Sequence, residues 1–208
     1  MTPRALVVDF GGVLTPSVRE SYTAFCESEG IDPQRFRAVI REAYRGGGDD
    51  HALVAVELGL ITREQFEERL AALLSDGLAQ PIDPSGLTLR IFGAPYPVPE
   101  MLEVVGRVRE TGAATAMLSN SLGDIEYPPE VVSLFDEVVL SGRVGLRKPD
   151  PRIFEHTLEL LGVRAAETVF VDDARPNVEA ARGLGMEAIL HDRPGETVAS
   201  LRKLFRLD

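Results

Sequence analysis

Cysteine is almost missing from this chain of 208 residues, where Cys26 is the only one. A single thiol cannot close an internal disulfide, and nothing in the cysteine usage implies an oxidising compartment. Cys26 lies in a helix-like stretch at 20–29, where it reads as a small apolar filler. Long apolar runs are missing too: no segment approaches the roughly 18 consecutive apolar residues of a membrane span. The first strand candidate begins within the first six residues, which leaves no room for a signal peptide, so a cytoplasmic location is expected. Positive charge is scarce, with 22 Lys and Arg against 33 Asp and Glu and a net charge of -11. That field repels backbone phosphates, so neither a nucleic acid nor a membrane is expected as partner. A small phosphorylated metabolite stays open as substrate, because a few local cations and one metal can dominate a pocket whatever the global sign. Composition carries no signal for or against an oligomer.

What is present is ordinary for a globular chain: 44% hydrophobic and 26% charged residues, enough for one core or a core with a small insertion. β-like runs occur at 5–9, 113–119, 137–141, 168–172 and 187–190. A helix at 99–111 starts on Pro99, carries Leu102, Val105 and Val108 on one face, and stops at Gly112. Asp150-Pro151 caps a second helix, with Ile153, Phe154, Leu158 and Leu161 as its buried stripe and Gly162 as terminator. Pro176 opens a third, ending near Gly183-Leu184-Gly185. Strands alternating with such helices predict an α/β fold with a parallel five-stranded sheet.

The alternation breaks once. Between Thr15 and about Val98 the pattern is helical throughout, at 18–28, 33–44, 52–58 and 63–74. That block is too long for a simple crossover. It predicts an all-helical subdomain at 15–98, inserted into an α/β core made of 1–14 and 99–208. Pro95, Pro97 and Pro99 form a stiff return strut. Gly46-Gly47-Gly48 lacks the Gly-Lys-Ser/Thr continuation of a phosphate loop and reads as a hinge between helices.

Four segments lie at or just beyond strand ends: Asp9, Ser119-Asn120, Lys148-Pro149-Asp150 and Asp172-Asp173. Open parallel sheets gather their active groups at the carboxyl ends of strands. Asp9 is followed by Phe10-Gly11-Gly12, and glycines allow a tight turn and close approach of backbone to a ligand. The adjacent acids Asp172 and Asp173 follow the apolar Val169-Phe170-Val171. Were Asp9 about 5 Å away, each like-charged pair would cost roughly 3 kcal/mol at an effective dielectric near 20. A hard divalent cation such as Mg²⁺ is the natural offset. Lys148 can neutralise an anionic nucleophile and hold a phosphoryl oxygen as a point charge. Ser119 and Asn120 can donate hydroxyl and amide hydrogens to one. This set suits phosphoryl transfer through an aspartate.

In that order and spacing the chain resembles the haloacid dehalogenase superfamily. Its four motifs stand here as Asp9-Phe10-Gly11-Gly12-Val13, Leu118-Ser119-Asn120, Arg147-Lys148-Pro149-Asp150-Pro151 and Phe170-Val171-Asp172-Asp173, and the helical block matches the family's C1 cap. The resemblance implies a Rossmann-like core, Mg²⁺ and a phospho-aspartate on Asp9. Ser119 and Lys148 would hold the phosphoryl group. Asp9, the Gly11 carbonyl and Asp173 would bind the metal with Asp172 alongside, and Asn177 would support that loop. Response-regulator receivers use the same groups but place the acidic pair after the first strand.

One position departs from the pattern. Family phosphatases carry a second aspartate two residues after the nucleophile, which protonates the leaving group; here it is Gly11. Losing a general acid typically costs about 10²- to 10⁴-fold. The leading expectation is a phosphatase whose leaving groups need little protonation, such as anomeric sugar, acyl or aryl phosphates. A similarity to the sugar-1-phosphate phosphatase branch, where glycine is familiar at this position, points the same way. A 2-haloacid dehalogenase also needs no acid, but three uncompensated carboxylates would repel its carboxylate substrate. A non-catalytic binding or regulatory protein is the third reading, and it leaves the nucleophile unexplained. For substrate choice, Tyr22, Arg41, Tyr44, Arg45, His51 and Glu57 are candidates for the inner face of the helical block. The 121–129 segment with Tyr127-Pro128-Pro129 is a candidate for the entrance. His156 and His191 read as structural.

Overall fold

A computed structural model describes residues 2–45, 51–76, 78, 80–92 and 96–208. The glycine run at 46–48 and Pro95 lie outside the described residues, as do the side chains of Tyr44 and Arg45. The chain opens with strand β1 (Ala5–Val8), followed by helices α1 (Val18–Glu29), α2 (Pro33–Arg45), α3 (Ala52–Glu57), α4 (Arg63–Ser75) and α5 (Leu87–Phe92). Then come α6 (Pro99–Glu110), β2 (Ala114–Ser119), α7 (Pro129–Val132), β3 (Glu137–Leu140), α8 (Ser141–Val144) and α9 (Pro151–Leu161). The chain ends with β4 (Thr168–Asp172), α10 (Arg175–Gly183), β5 (Glu187–Leu190) and α11 (Pro194–Phe205). No described helix is long and apolar enough to cross a membrane.

The five strands form one parallel sheet in the order β3-β2-β1-β4-β5. Both faces are covered, which is why β1 reads as an unbroken apolar run. Leu6 and Val8 point to one face, with Met117, Val169 and Val171, and meet α6 and α11 through Val105, Val108, Leu201 and Phe205. Val7 points to the other, with Leu118 and Phe170, and meets α9 and α10 through Ile153, Phe154, Val178 and Ala181. The order reverses at β1, so the switch point falls between β1 and β4. That crevice is where ligands bind in open α/β sheets.

Helices α1 to α5 have a separate core of Phe25, Phe36, Leu53, Phe66, Leu70 and Ile91, in which Cys26 is also buried. The chain leaves the sheet after Leu14 and returns at Val98, whose amide donates to the Leu14 carbonyl at 2.7 Å. Several details differ from the sequence reading, and the short helices α5 and α7 are additional to the helices expected from it. Ser141 opens α8 rather than ending β3, because its hydroxyl accepts the Ser121 amide at 2.9 Å. Helix α11, not foreseen, buries Thr197, Leu201 and Phe205 at i, i+4 and i+8.

Gly59, just after α3, joins the helical insertion to the sheet. Its φ is +72°, and an added Cβ would lie 2.3 Å from the Gly142 carbonyl oxygen in α8. Backbone meets backbone there, so neither side can yield cheaply. Gly59→Ala is expected to destabilise by about 2 kcal/mol, lowering Tm by roughly 4–8 °C in a chain of this size. Thermal denaturation checks it. Gly183→Ala, with open space around its added Cβ, is the control and leaves Tm level or slightly higher.

Candidate active site

The four segments meet at the carboxyl edge of the sheet, over the β1–β4 crevice. The Asp9 amide donates to the Val171 carbonyl at 2.9 Å, so the aspartate leaves β1 in a fixed direction. The chain then winds tightly: the Phe10 carbonyl accepts the Leu14 amide at 2.9 Å, and the Gly12 amide donates to Thr15 Oγ1 at 3.1 Å. Gly12 has φ +77°, and a Cβ there would stand 2.4 Å from Asp173 Oδ2. Only glycine lets the two loops approach this closely. At Gly11 an added Cβ would meet nothing within 4 Å.

Lys148 lies in the middle. Its Nζ donates to Asp9 Oδ1 at 2.6 Å and to Asp172 Oδ2 at 2.7 Å, and lies 5.7 Å from the centroid of the Phe170 ring. The three residues are 2%, 8% and 0% exposed for Lys148, Asp9 and Asp172 respectively. Asp172 has both oxygens engaged: Oδ1 accepts the Ala174 amide and Asn177 Nδ2, and Oδ2 accepts Lys148 and Asn177. It stands behind the other two acids, whereas Asp9, Gly11 and Asp173 line the cavity in front.

Asn120 is placed differently from the sequence reading. Its Oδ1 accepts the Lys148 amide at 2.9 Å and its Nδ2 donates to the Lys148 carbonyl at 3.0 Å. The side chain is a clamp on the lysine loop, and its amide hydrogens are not turned to a phosphoryl oxygen. Ser119 is buried at the end of β2, and its Oγ accepts the Tyr127 hydroxyl at 3.3 Å. The Tyr127 ring packs edge-on against Phe10, with centroids 4.7 Å apart.

From the insertion, Glu57 reaches the same loop. Its Oε2 accepts Arg147 Nε at 2.6 Å and Asn120 Nδ2 at 3.4 Å. Of the substrate-choice candidates with described side chains, only Glu57 lines the cavity; Tyr22 packs on Phe36 instead. His191 is buried against Thr197 on the core. The linking roles of Tyr127, Glu57 and Arg147 had no signal in motif order. A compositional signal for Lys148 did exist, since the chain has just two lysines, Lys148 and Lys203.

Negative charge exceeds positive charge here. Burial, with help from the Asp172 charge, pushes Asp9 up to about 7 despite Lys148. Asp173 is exposed to the cavity, where partial loss of water plus the Asp172 charge raises it to about 6. Burial pulls the Lys148 ammonium down, but Asp9 and Asp172 outweigh it and its pKa ends up raised. One oxygen from each of Asp9, Asp172 and Asp173 lies within 4.8 Å of the others. Hard oxygen donors with uncompensated charge fit a divalent cation such as Mg²⁺.

Binding a cation to Asp9 and Asp173 requires both to shed protons. Raised carboxyl pKa values cost the folded state stability as pH climbs from the ordinary carboxylate value of 3.8 to about 6 to 7, and a cation removes that cost. The rise in Tm caused by Mg²⁺ is therefore expected to be small at pH 5 and several degrees at pH 8. Asp173→Asn should abolish most of it. A rise that is equal at both pH values would contradict this.

Comparison with known proteins adds the following. A family profile for haloacid dehalogenase-like hydrolases matches residues 3–185. Acyl-CoA dehydrogenase family member 10 of Mus musculus is 33% identical over 210 residues, covering 97% of this chain and 19% of that protein. Phosphoserine phosphatase of Thermus thermophilus is 33% identical over 126 residues, covering 53% of this chain and 51% of that protein. The chain thus spans about a fifth and about half of these two relatives. A HAD-family enzyme of Bacteroides thetaiotaomicron, in complex with magnesium and inorganic phosphate, superposes with a TM-score of 0.64 at 22% identity, covering 91% of this chain and 94% of that one.

Proposed function

This chain belongs to the haloacid dehalogenase-like hydrolases, and from that premise we propose that it hydrolyses a phosphate monoester through an aspartyl-phosphate on Asp9. The observation that carries the reading is the buried array Asp9–Lys148–Asp172 with Asp173 beside it. Lys148 binds Asp9 Oδ1, so Oδ2 is the oxygen that attacks phosphorus. The P–O bond to the alcohol breaks as the Asp9–phosphorus bond forms. Water then cleaves the acyl phosphate, releases inorganic phosphate and restores Asp9. Lys148 and the Ser119 hydroxyl hold phosphoryl oxygens, and Tyr127 fixes the direction of that hydroxyl.

Asp9, Asp173 and the Gly11 carbonyl are the groups that would hold Mg²⁺, with Asp172 anchoring their loops from behind. The bound magnesium and phosphate of the Bacteroides relative support that assignment. When bound, the ion supplies positive charge that neutralises the carboxylates and the phosphoryl oxygens. A dehalogenase reading draws no support from the site, because Asp9, Asp172 and Asp173 set three carboxylates against Lys148 where a carboxylate substrate would lie.

Gly11 offers no proton to the leaving group. Rates on a series of aryl phosphates are therefore expected to fall steeply as leaving-group pKa rises, with Mg²⁺ present, and to vanish with chelator or in Asp9→Asn. Gly11→Asp, which the open space around its Cβ accommodates, should raise kcat on esters with poor leaving groups by up to about 10²-fold. A flat dependence on leaving-group pKa would defeat the reading of Gly11. Full activity in Asp9→Asn would defeat the aspartyl-phosphate itself.

A further inference from the structure

We infer that the esters this site accepts are those of bulky, uncharged, apolar hydroxyl compounds, phenols foremost, and not those of sugars or carboxylic acids. This rests on the reading that Asp9 receives the phosphoryl group. The cavity in front of Asp9 encloses about 910 Å³, near the top of the range of about 300–1,000 Å³ for sites that bury drug-sized ligands. A phosphoryl group fills only the end at Asp9 and Ser119. Further out the cavity is lined by Leu53 of α3, Leu89 and Phe92 of α5, Tyr96, and Leu122 and Ile125 after β2. Leu89 is 60% exposed and Tyr96 64%. Large apolar side chains left in water beside a cavity are unfavourable alone and favourable once an apolar ligand covers them.

Charge selects in the same direction. Among the described residues lining the cavity, the cations are Arg63 and Lys148, against Glu57, Glu64, Glu67, Glu68, Asp9 and Asp173. Lys148 is held by Asp9 and Asp172, and Arg63 lies 3.5 Å from Glu64. A carboxylate or second phosphate on the leaving group would face Glu57, Glu64, Glu67 and Glu68 against the single outer cation Arg63 among the described lining residues. Sugar hydroxyls would lie against Leu53, Leu122 and Ile125, and losing water there without new hydrogen bonds is costly. Glu57 and Glu67 are already committed, to Arg147 and to the Thr88 amide. Gly11 narrows the class further, because phenols depart without a proton where simple alcohols do not.

A series of 4-alkylphenyl phosphates tests this, since the alkyl group adds apolar bulk at nearly constant leaving-group pKa. From phenyl to 4-butylphenyl phosphate, kcat/KM is expected to rise by about 80- to 250-fold with all four carbons buried, at roughly threefold to fourfold per methylene. Glucose 1-phosphate and phosphoserine should be far poorer substrates than 4-butylphenyl phosphate. Leu89→Asp, at an exposed position that leaves the core intact, should cut the butyl-to-phenyl ratio about tenfold. A flat series, or a preference for either polar ester, overturns the inference and leaves the hydrolase reading standing. Should no ester turn over, calorimetry with the matching phosphonates decides. Tighter binding of 4-butylphenylphosphonate than of phenylphosphonate, lost in Leu89→Asp, sustains the apolar pocket while the hydrolase reading falls. Equal affinities overturn the pocket too.

Discussion

One buried ammonium holds this site together. Lys148 reaches from the loop after α8 to carboxylates at the ends of two neighbouring strands, β1 and β4, at 2.6 and 2.7 Å. Removing Lys148 would leave two carboxylates uncompensated in the interior, which is why such arrays are strongly destabilised when their cation is lost. The array is still one positive charge short. Asp173 adds a further carboxylate, and loss of water first, with the Asp172 charge behind it, raises the pKa values of Asp9 and Asp173. A site with surplus negative charge at its centre is primed for a cation and, with the cation, for a phosphoryl group.

Holding Lys148 there requires a chain of contacts from outside the sheet. Asn120 grips the lysine backbone on both sides, and Glu57 grips Asn120 and Arg147 in turn. Glu57 belongs to α3 of the helical insertion, and the Gly59–Gly142 contact fixes α3 against α8. The insertion therefore does two things. It lines the outer part of the cavity through Leu53, Leu89 and Phe92, and it braces the loop that carries Lys148. The outer cavity wall and the setting of Lys148 are mechanically joined through Glu57.

Much of this was legible before any coordinates. The five strands appear where apolar runs of four to six residues stand between helix signals, because strands buried on both faces must be apolar throughout. Asp9, Ser119, Lys148, Asp172 and Asp173 were legible because a parallel sheet gathers its strand ends at one edge. Asn120 was legible as a site residue but not as a clamp. Tyr127 was legible as an entrance residue and Glu57 as a candidate for the inner face, but their linking roles were not: Glu57 meets Asn120 and Arg147 across 63 and 90 positions of sequence. No local pattern encodes such a pairing. Helix α11 is a different case, since its buried Thr197, Leu201 and Phe205 are spaced four apart and form a local pattern.

By itself the sequence determined the chemistry: which carboxylates, which ammonium and which glycines stand at the ends of apolar strands, and that Gly11 carries no acid. Periodicity and strand-end position are short-range properties, so a few neighbouring residues suffice to write them. Tertiary structure alone decided the electrostatics and the shape. How deeply Lys148 is buried, which acid faces the cavity and which stands behind, and which side chains wall the outer cavity all depend on packing between distant segments. Desolvation and Coulomb energy vary with distances that no stretch of sequence contains.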